Sequence, residues 1–257
     1  MNKVQHKQAL LRLGDDALIL GQRLGDWCGH APALEEDIAL TNIALDLIGR
    51  TQSYLTLSGA LNEVNGKSKP LTDDQLAFHR VERDFQNLLL VEQPNGDFGD
   101  TIARQFLFDN YALLRAEHIA TQTFDLDAAA IAAKAIKEIR YHQDHSSKWI
   151  IRLGDGTPES HSRIQHSINE LWKFTGEMFT PDEIDLAGAS AGLLPDLASL
   201  KIKWDSAINS VLEEASLVRP DDAWMQTGGR QGLHTESLGF LLAEMQSLPR
   251  TYPDATW

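Results

Sequence analysis

The run Lys137–Gln143, KEIRYHQ, places a histidine on a helix without an acid three residues before it. Helical bundles that hold two iron ions do so with two Glu-x-x-His pairs and two further carboxylates projecting inward. Here the residue three before His142 is Ile139, and no Glu-x-x-His or Asp-x-x-His occurs anywhere in the chain. A bundle of this sequence would lack the donors such a metal site needs.

Other polar residues sit inside apolar runs and invite competing readings. Asn42, Asp46 and Arg50 are spaced four apart. They form either a solvent-touching face with an ordinary i,i+4 ion pair or a polar cluster at the bundle centre. The second reading follows if Ile38, Ile43, Leu45, Leu47 and Ile48 leave little solvent face nearby. Asp109 lies on an apolar stripe between Phe106 and Leu113, and an acid there needs a partner because an unpaired buried carboxylate is costly. Glu117 and His118 are adjacent and cannot point the same way on a helix. Glu138, His142 and His145 could in principle hold zinc from one helix, but Glu138 lies off the line through His142, so a surface pairing is expected instead. Thr227–Gly232, TGGRQG, precedes a helix, so Arg230 and the backbone N–H groups could receive an anion or a partner; a turn packed on a neighbour is the plainer reading. No Gly-x-Ser-x-Gly elbow, phosphate loop or dinucleotide fingerprint is present.

The elements that must position these residues read as helices throughout, with no convincing alternating strand. Expected spans are about 8–27, 34–61, a shorter helix opened by a Thr72/Gln75 capping box and ended by Pro94-Asn95-Gly96, then about 100–124 and 127–153. Ile131, Ala135, Ile139, His142, Ser146, Ile150 and Leu153 recur every three or four residues, so Ile139 and His142 should both face the core. A polar linker of turn formers covers residues 65–70. Thr157-Pro158 and Thr180-Pro181 each place a hydroxyl cap before a proline at the first helical position. Further helices should run over about 158–178, briefly from 181, and over about 196–217 and 234–248. The expectation is an all-α four-helix bundle with additional peripheral and C-terminal helices, as a single domain over 1–257 (bundle about 8–154, additional helices about 158–250). Most of the six tryptophans and the apolar helix Leu238–Met245 should be core, with some contact surface left over.

Composition excludes several classes. A chain of 257 residues with 42% hydrophobic residues can bury a sizeable core. The net charge of −14 argues against nucleic acid and anionic membranes, which need a basic surface. One cysteine, Cys28, permits neither an internal disulfide nor a thiolate metal site. No leader and no stretch of about 20 apolar residues is seen, so a cytoplasmic protein is expected.

Several long segments carry a family resemblance: RLGDWCGHAPALEEDIALTNIALDLIGR (Arg23–Arg50), NLLLVEQPNGDFGDTIARQF (Asn87–Phe106), AAKAIKEIRYH (Ala132–His142), and TGGRQGLHTESLG (Thr227–Gly239) with LAEMQ close behind. Over its whole length the chain resembles the structural subunits of bacterial phenylacetyl-CoA epoxidases, the multicomponent monooxygenases of phenylacetate degradation. The resemblance implies a ferritin-like subunit with no catalytic residues, cofactor or metal of its own. It would pair with a similar subunit that holds the di-iron centre and binds phenylacetyl-CoA. A reductase with NADPH, flavin and an iron–sulfur centre completes the complex.

Matched by position, the ligands of that catalytic subunit fall on Leu47 and Arg50, on Ile139 and His142, on Asp109, and near Ala17 beside Asp16. Leucine and isoleucine offer no electron pair, and an arginine guanidinium has no acceptor. The resemblance therefore implies vestigial positions at Leu47, Arg50, Asp109, Ile139 and His142. A buried cluster of Asp46, Arg50, Asp109 and His142 is expected, in which Arg50 takes the place of the metal charge. Two rival functions remain open: an oxidase with unorthodox ligands, and a free-standing acyl-CoA-binding helical protein.

Overall fold

The computed structural model describes residues 1–253 and 255. These fold as two compact units: Met1–Gln93 with Gly228–Trp257, and Pro94–Thr227. Both are helical, and among the described residues no helix is long and apolar enough to cross a membrane.

In the first unit, α1 (Lys3–Gly25) begins at a reciprocal cap in which Asn2 and Gln5 satisfy each other's backbone N–H groups at 2.9 Å. Every residue from Ala9 to Gly21 is buried. The chain turns through residues 26–33 and returns as α2 (Leu34–Ala60). The pair is antiparallel: Ser58 Oγ donates to the Lys7 carbonyl at 3.0 Å, and Thr51 Oγ1 to that of Gly14 at 3.4 Å. Glycine at position 14 sets the closeness of approach, since a Cβ there would lie 2.6 Å from Leu55 Cδ2.

The stretch expected as a linker is a two-stranded hairpin, β1 (Glu63–Val64) and β2 (Lys67–Ser68). Asn65 and Gly66 at its tip have φ of 53° and 71°, the Asn-Gly geometry of a type I′ turn. The short helix α3 (Asp73–Phe78) opens with the expected Thr72/Gln75 capping box but stops at Phe78, well before the expected end at Pro94-Asn95-Gly96. A non-helical segment follows to Gln93 apart from one 3-10 turn, Glu82–Asp84.

The second unit contains α4 (Phe98–Ile119), α5 (Leu126–Gly154), α6 (Pro158–Trp172), α7 (Glu183–Ala191) and α8 (Leu197–Glu214). Helices α4 and α5 are antiparallel, joined by Gln143 Nε2 to Asn110 Oδ1 at 2.9 Å and by Arg140 to Glu117 at 3.0 Å. The face read from periodicity is the buried one at Ala135, Ile139, His142, Ser146 and Ile150, while Ile131 and Leu153 at its margins are half-buried. Thr157 caps α6 with Pro158 at its first position. Thr180 does not cap α7. Asp182 does, because its carboxylate reaches two N–H groups, those of Ile184 and Asp185. Helix α6 also ends earlier than expected, at Trp172, and a separate 3-10 turn covers Gly176–Phe179. Trp204 is buried, donates to the Leu107 carbonyl at 3.0 Å and packs on Trp172 and Phe179. Trp224 is exposed, and Trp257 lies outside the described residues.

The chain re-enters the first unit at Gly228. A 3-10 turn at Gly229–Gln231 leads to α9 (Glu236–Met245) and α10 (Ser247–Thr251). Leu238, Leu241 and Leu242 of α9 are buried, whereas Phe240 is 73% exposed.

Candidate functional site

A dense cluster of polar side chains lies inside the first unit, around a segment that has no regular structure and yet is buried. Phe85, Asn87, Leu88, Leu89, Leu90, Val91 and Glu92 are all at most 1% exposed. Unpaired backbone groups in such a loop would be costly, and side chains from distant parts of the chain meet them.

Two consecutive acids on α1 do much of this. Asp15 accepts both terminal nitrogens of Arg80, with Nη1 at 2.9 Å, and also the Gln86 N–H at 2.9 Å. Asp16 accepts both terminal nitrogens of Arg230, at 3.0 and 2.9 Å, and the Leu88 N–H at 2.9 Å. Each is a fork-to-fork pair, the geometry that makes arginine–carboxylate bonds strong and directional. Arg80 also lies 4.0 Å above the Phe85 ring, and Arg230 reaches the Gln86 carbonyl at 2.6 Å. Arg23 adds bonds to the carbonyls of Glu92, at 2.7 and 3.1 Å, and Ser237, at 2.9 Å.

At the other end of the segment, Glu92 is fully buried and accepts four bonds: Asn87 Nδ2 at 2.8 Å, His234 Nδ1 at 2.8 Å, Thr235 N–H at 2.7 Å and Thr235 Oγ1 at 2.8 Å. Four donors match the four lone pairs that a carboxylate can offer. The other ring nitrogen of His234 lies 2.9 Å from the Phe85 carbonyl. Both neighbours of the ring are acceptors, an arrangement that is satisfied on both sides when both nitrogens carry protons.

Burial opposes that charge. The hydrogen bond and charge of Glu92, the Phe85 carbonyl and the charge of Glu82 outweigh it, and the pKa of His234 is raised above 6.5. A raised folded-state pKa gives stability that is complete below the unfolded value and is lost as pH rises through the folded value. Melting temperatures of the full chain should therefore fall with rising pH above about 6.5 more steeply in the native protein than in His234→Gln. Parallel curves for the two proteins would contradict this.

Of the two readings of the Thr227–Gly232 turn, the structure supports the packed one, and the anion or partner role for Arg230 is corrected: its guanidinium is taken up inside the chain. Its side chain is 8% exposed and its guanidinium is engaged by Asp16. The turn is held open by Gly232, whose φ is 72° and whose Cβ, if present, would lie 2.3 Å from the Arg83 carbonyl. Asp15, Arg80, Glu92, His234 and Thr235 escaped sequence reasoning. The signals were an acidic pair in the middle of LLRLGDDALIL and a lone glutamate closing NLLLVE.

The positions read as vestigial ligands divide between the units. In the first, Leu47 is 1% exposed, while Asp46 and Arg50 are half-buried and Asn42 is exposed. The premise that five aliphatic residues leave no solvent face there fails: Ile43 and Leu47 are buried, but Ile38, Leu45 and Ile48 are 55%, 63% and 36% exposed. Ala17 is buried, and Asp16 beside it is bound to Arg230.

In the second unit, Asp109, Ile139 and His142 are 3%, 2% and 1% exposed. Asp109 accepts Ser146 Oγ at 3.0 Å and Gln105 Nε2 at 3.4 Å. Glu138 and His145 are half-buried. Among the described residues no three His, Cys, Asp or Glu side chains are placed to hold a metal ion. Hydrocarbon at 47 and 139 gives iron nothing to bind, so these residues do not fit a di-iron centre.

The whole chain, residues 1–257, matches the family described as "Phenylacetic acid catabolic protein". It is 48% identical over 247 residues to one of the subunits of the 1,2-phenylacetyl-CoA epoxidase of Escherichia coli (strain K12), a match covering 96% of this chain and 97% of that one. Among solved structures it is similar to a Synechococcus protein with aldehyde deformylating oxidase activity. The TM-score is 0.59 at 13% identity, over 85% of this chain and 95% of the other. At that identity the likeness concerns the fold alone, which is all-α and ferritin-like.

Proposed function

The chain belongs to the phenylacetic acid catabolic protein family, and we propose that it is the noncatalytic subunit of a multicomponent phenylacetyl-CoA epoxidase. In this reading it pairs with and supports the subunit that holds the di-iron centre and epoxidises the aromatic ring. The metal belongs to that partner, and NADPH, flavin and the iron–sulfur centre belong to the reductase. What supports the reading is that Leu47 and Ile139, the positions on which the resemblance places donors of a metal-bearing subunit, are aliphatic and each buried in its own unit. The Escherichia coli relative, itself one subunit of an epoxidase, supports it.

What this chain supplies is rigidity and surface. The buried ion pairs of the first unit hold a non-helical segment in place against α1. Permanent subunit contacts commonly bury more than about 2,000 Å².

The test is reconstitution from separately purified subunits. The catalytic subunit and this chain should co-elute, and substrate turnover should need both. This chain alone should contain substoichiometric iron and form no epoxide. Stoichiometric iron with turnover by the lone chain would replace the proposal with an oxidase using unorthodox ligands. Tight phenylacetyl-CoA binding by the lone chain, with no affinity for the catalytic subunit, would replace it with an acyl-CoA carrier.

A further inference from the structure

Helix α2 is apolar on two faces. One face, with Leu40, Ile43, Leu47, Tyr54 and Leu55, is buried against the rest of its unit. The other begins at Leu34 and continues through Ile38, Thr41, Leu45, Ile48 and Gln52. The steps are four, three, four, three and four residues, the 3.5-residue repeat with which one helix meets another along its length. Leu34, Ile38, Leu45 and Ile48 are 72%, 55%, 63% and 36% exposed, Thr41 is half-buried and Gln52 is exposed. Scattered single apolar residues on a surface need no explanation, but four in register along about 21 Å of helix form a seam. Gly49 lies beside it, exposed and with open space where a Cβ would stand. A mid-helix glycine weakens a helix, and at this position it lets another backbone come close.

Charge bears on the occupant. Glu35, Glu36, Asp37 and Asp46 on α2 outnumber its single basic residue, Arg50. A second copy of this chain would bring the same acids and another net charge of −14 to the contact. A helix with apolar residues at the same repeat and basic residues beside them fits better.

We infer that the Leu34–Gln52 seam of α2 is the docking surface for an apolar, base-flanked helix of the iron-bearing subunit, packed along α2 in coiled-coil fashion. The inference rests on the proposed pairing with that subunit and assigns it a place. The crossing angle for such packing is about 20°.

The test measures affinity between the full chain and the catalytic subunit for the native protein, for the double variant Ile38→Glu/Leu45→Glu, and for Leu45→Gln, which adds no charge. These positions are exposed, so thermal melts of the isolated variants should match the native protein. The double variant should bind about 30-fold more weakly or worse and Leu45→Gln measurably more weakly. Ile202→Glu on α8, at a position 72% exposed, should bind as the native protein does. Affinity for the native chain should fall as salt is raised.

Native binding with unchanged affinity in both seam variants overturns the seam and leaves the function standing. No binding by the native chain overturns both. A concentration-dependent dimer of the isolated chain that Leu45→Gln abolishes would make a second copy the occupant and overturn the assignment.

Discussion

Replacing Arg230 with alanine should lower the unfolding free energy by about 3–5 kcal/mol, the cost of removing one partner from a buried ion pair. Asp16 is fully buried; it would keep the Leu88 N–H but lose both guanidinium bonds. The Gln86 carbonyl would lose a donor at the same time. Arg230→Lys should recover only part of the loss, because one ammonium cannot reproduce a fork that bonds two carboxylate oxygens and a carbonyl. Urea unfolding of the three proteins measures this directly. A loss below about 1 kcal/mol for the alanine variant, the usual range of an exposed pair, would show that Asp16 and Arg230 do not form the buried bond seen here.

Glu92→Gln should be nearly as damaging although it is almost isosteric, with a loss of about 3 kcal/mol. The carboxylate accepts from Asn87, His234 and both the N–H and hydroxyl of Thr235. An amide can accept through its oxygen only, so its NH₂ group would face donors. His234 would also lose the charge that holds it protonated. Two readouts are therefore expected together: reduced stability and a flattened dependence of stability on pH in the range where His234 titrates. Reduced stability with the native pH dependence retained would show that the charge on His234 does not depend on Glu92.

The two changes act on opposite ends of one segment, since Asp16 holds Leu88 while Glu92 lies at its far end. Their costs should be less than additive, because either loss frees the same residues 85–93. Most of this segment falls within one of the family-like runs of the sequence. Its hydrophobic residues are buried, and its backbone needs explain the acids and arginines that surround it.

Local rules read from the sequence identified much of the architecture. Capping pairs at Thr72/Gln75 and Thr157-Pro158 act within four residues, and helical periodicity on α5 placed Ile139 and His142 on the buried side. Near misses were local as well: Asp182 outcompetes Thr180 as a cap by accepting two N–H groups, and Asn-Gly made a hairpin out of an expected linker.

Tertiary structure alone decided two further matters. Arg230 meets Asp16 across 214 positions of sequence, and His234 meets Glu92 across 142, and no spacing rule links residues so far apart. Helix α2 carries apolar side chains on two faces, so its periodicity could not say which face the chain itself would cover. Only packing settled that Leu47 goes inward while Leu45 stays in water, because burial depends on what lies opposite a side chain as well as on its type.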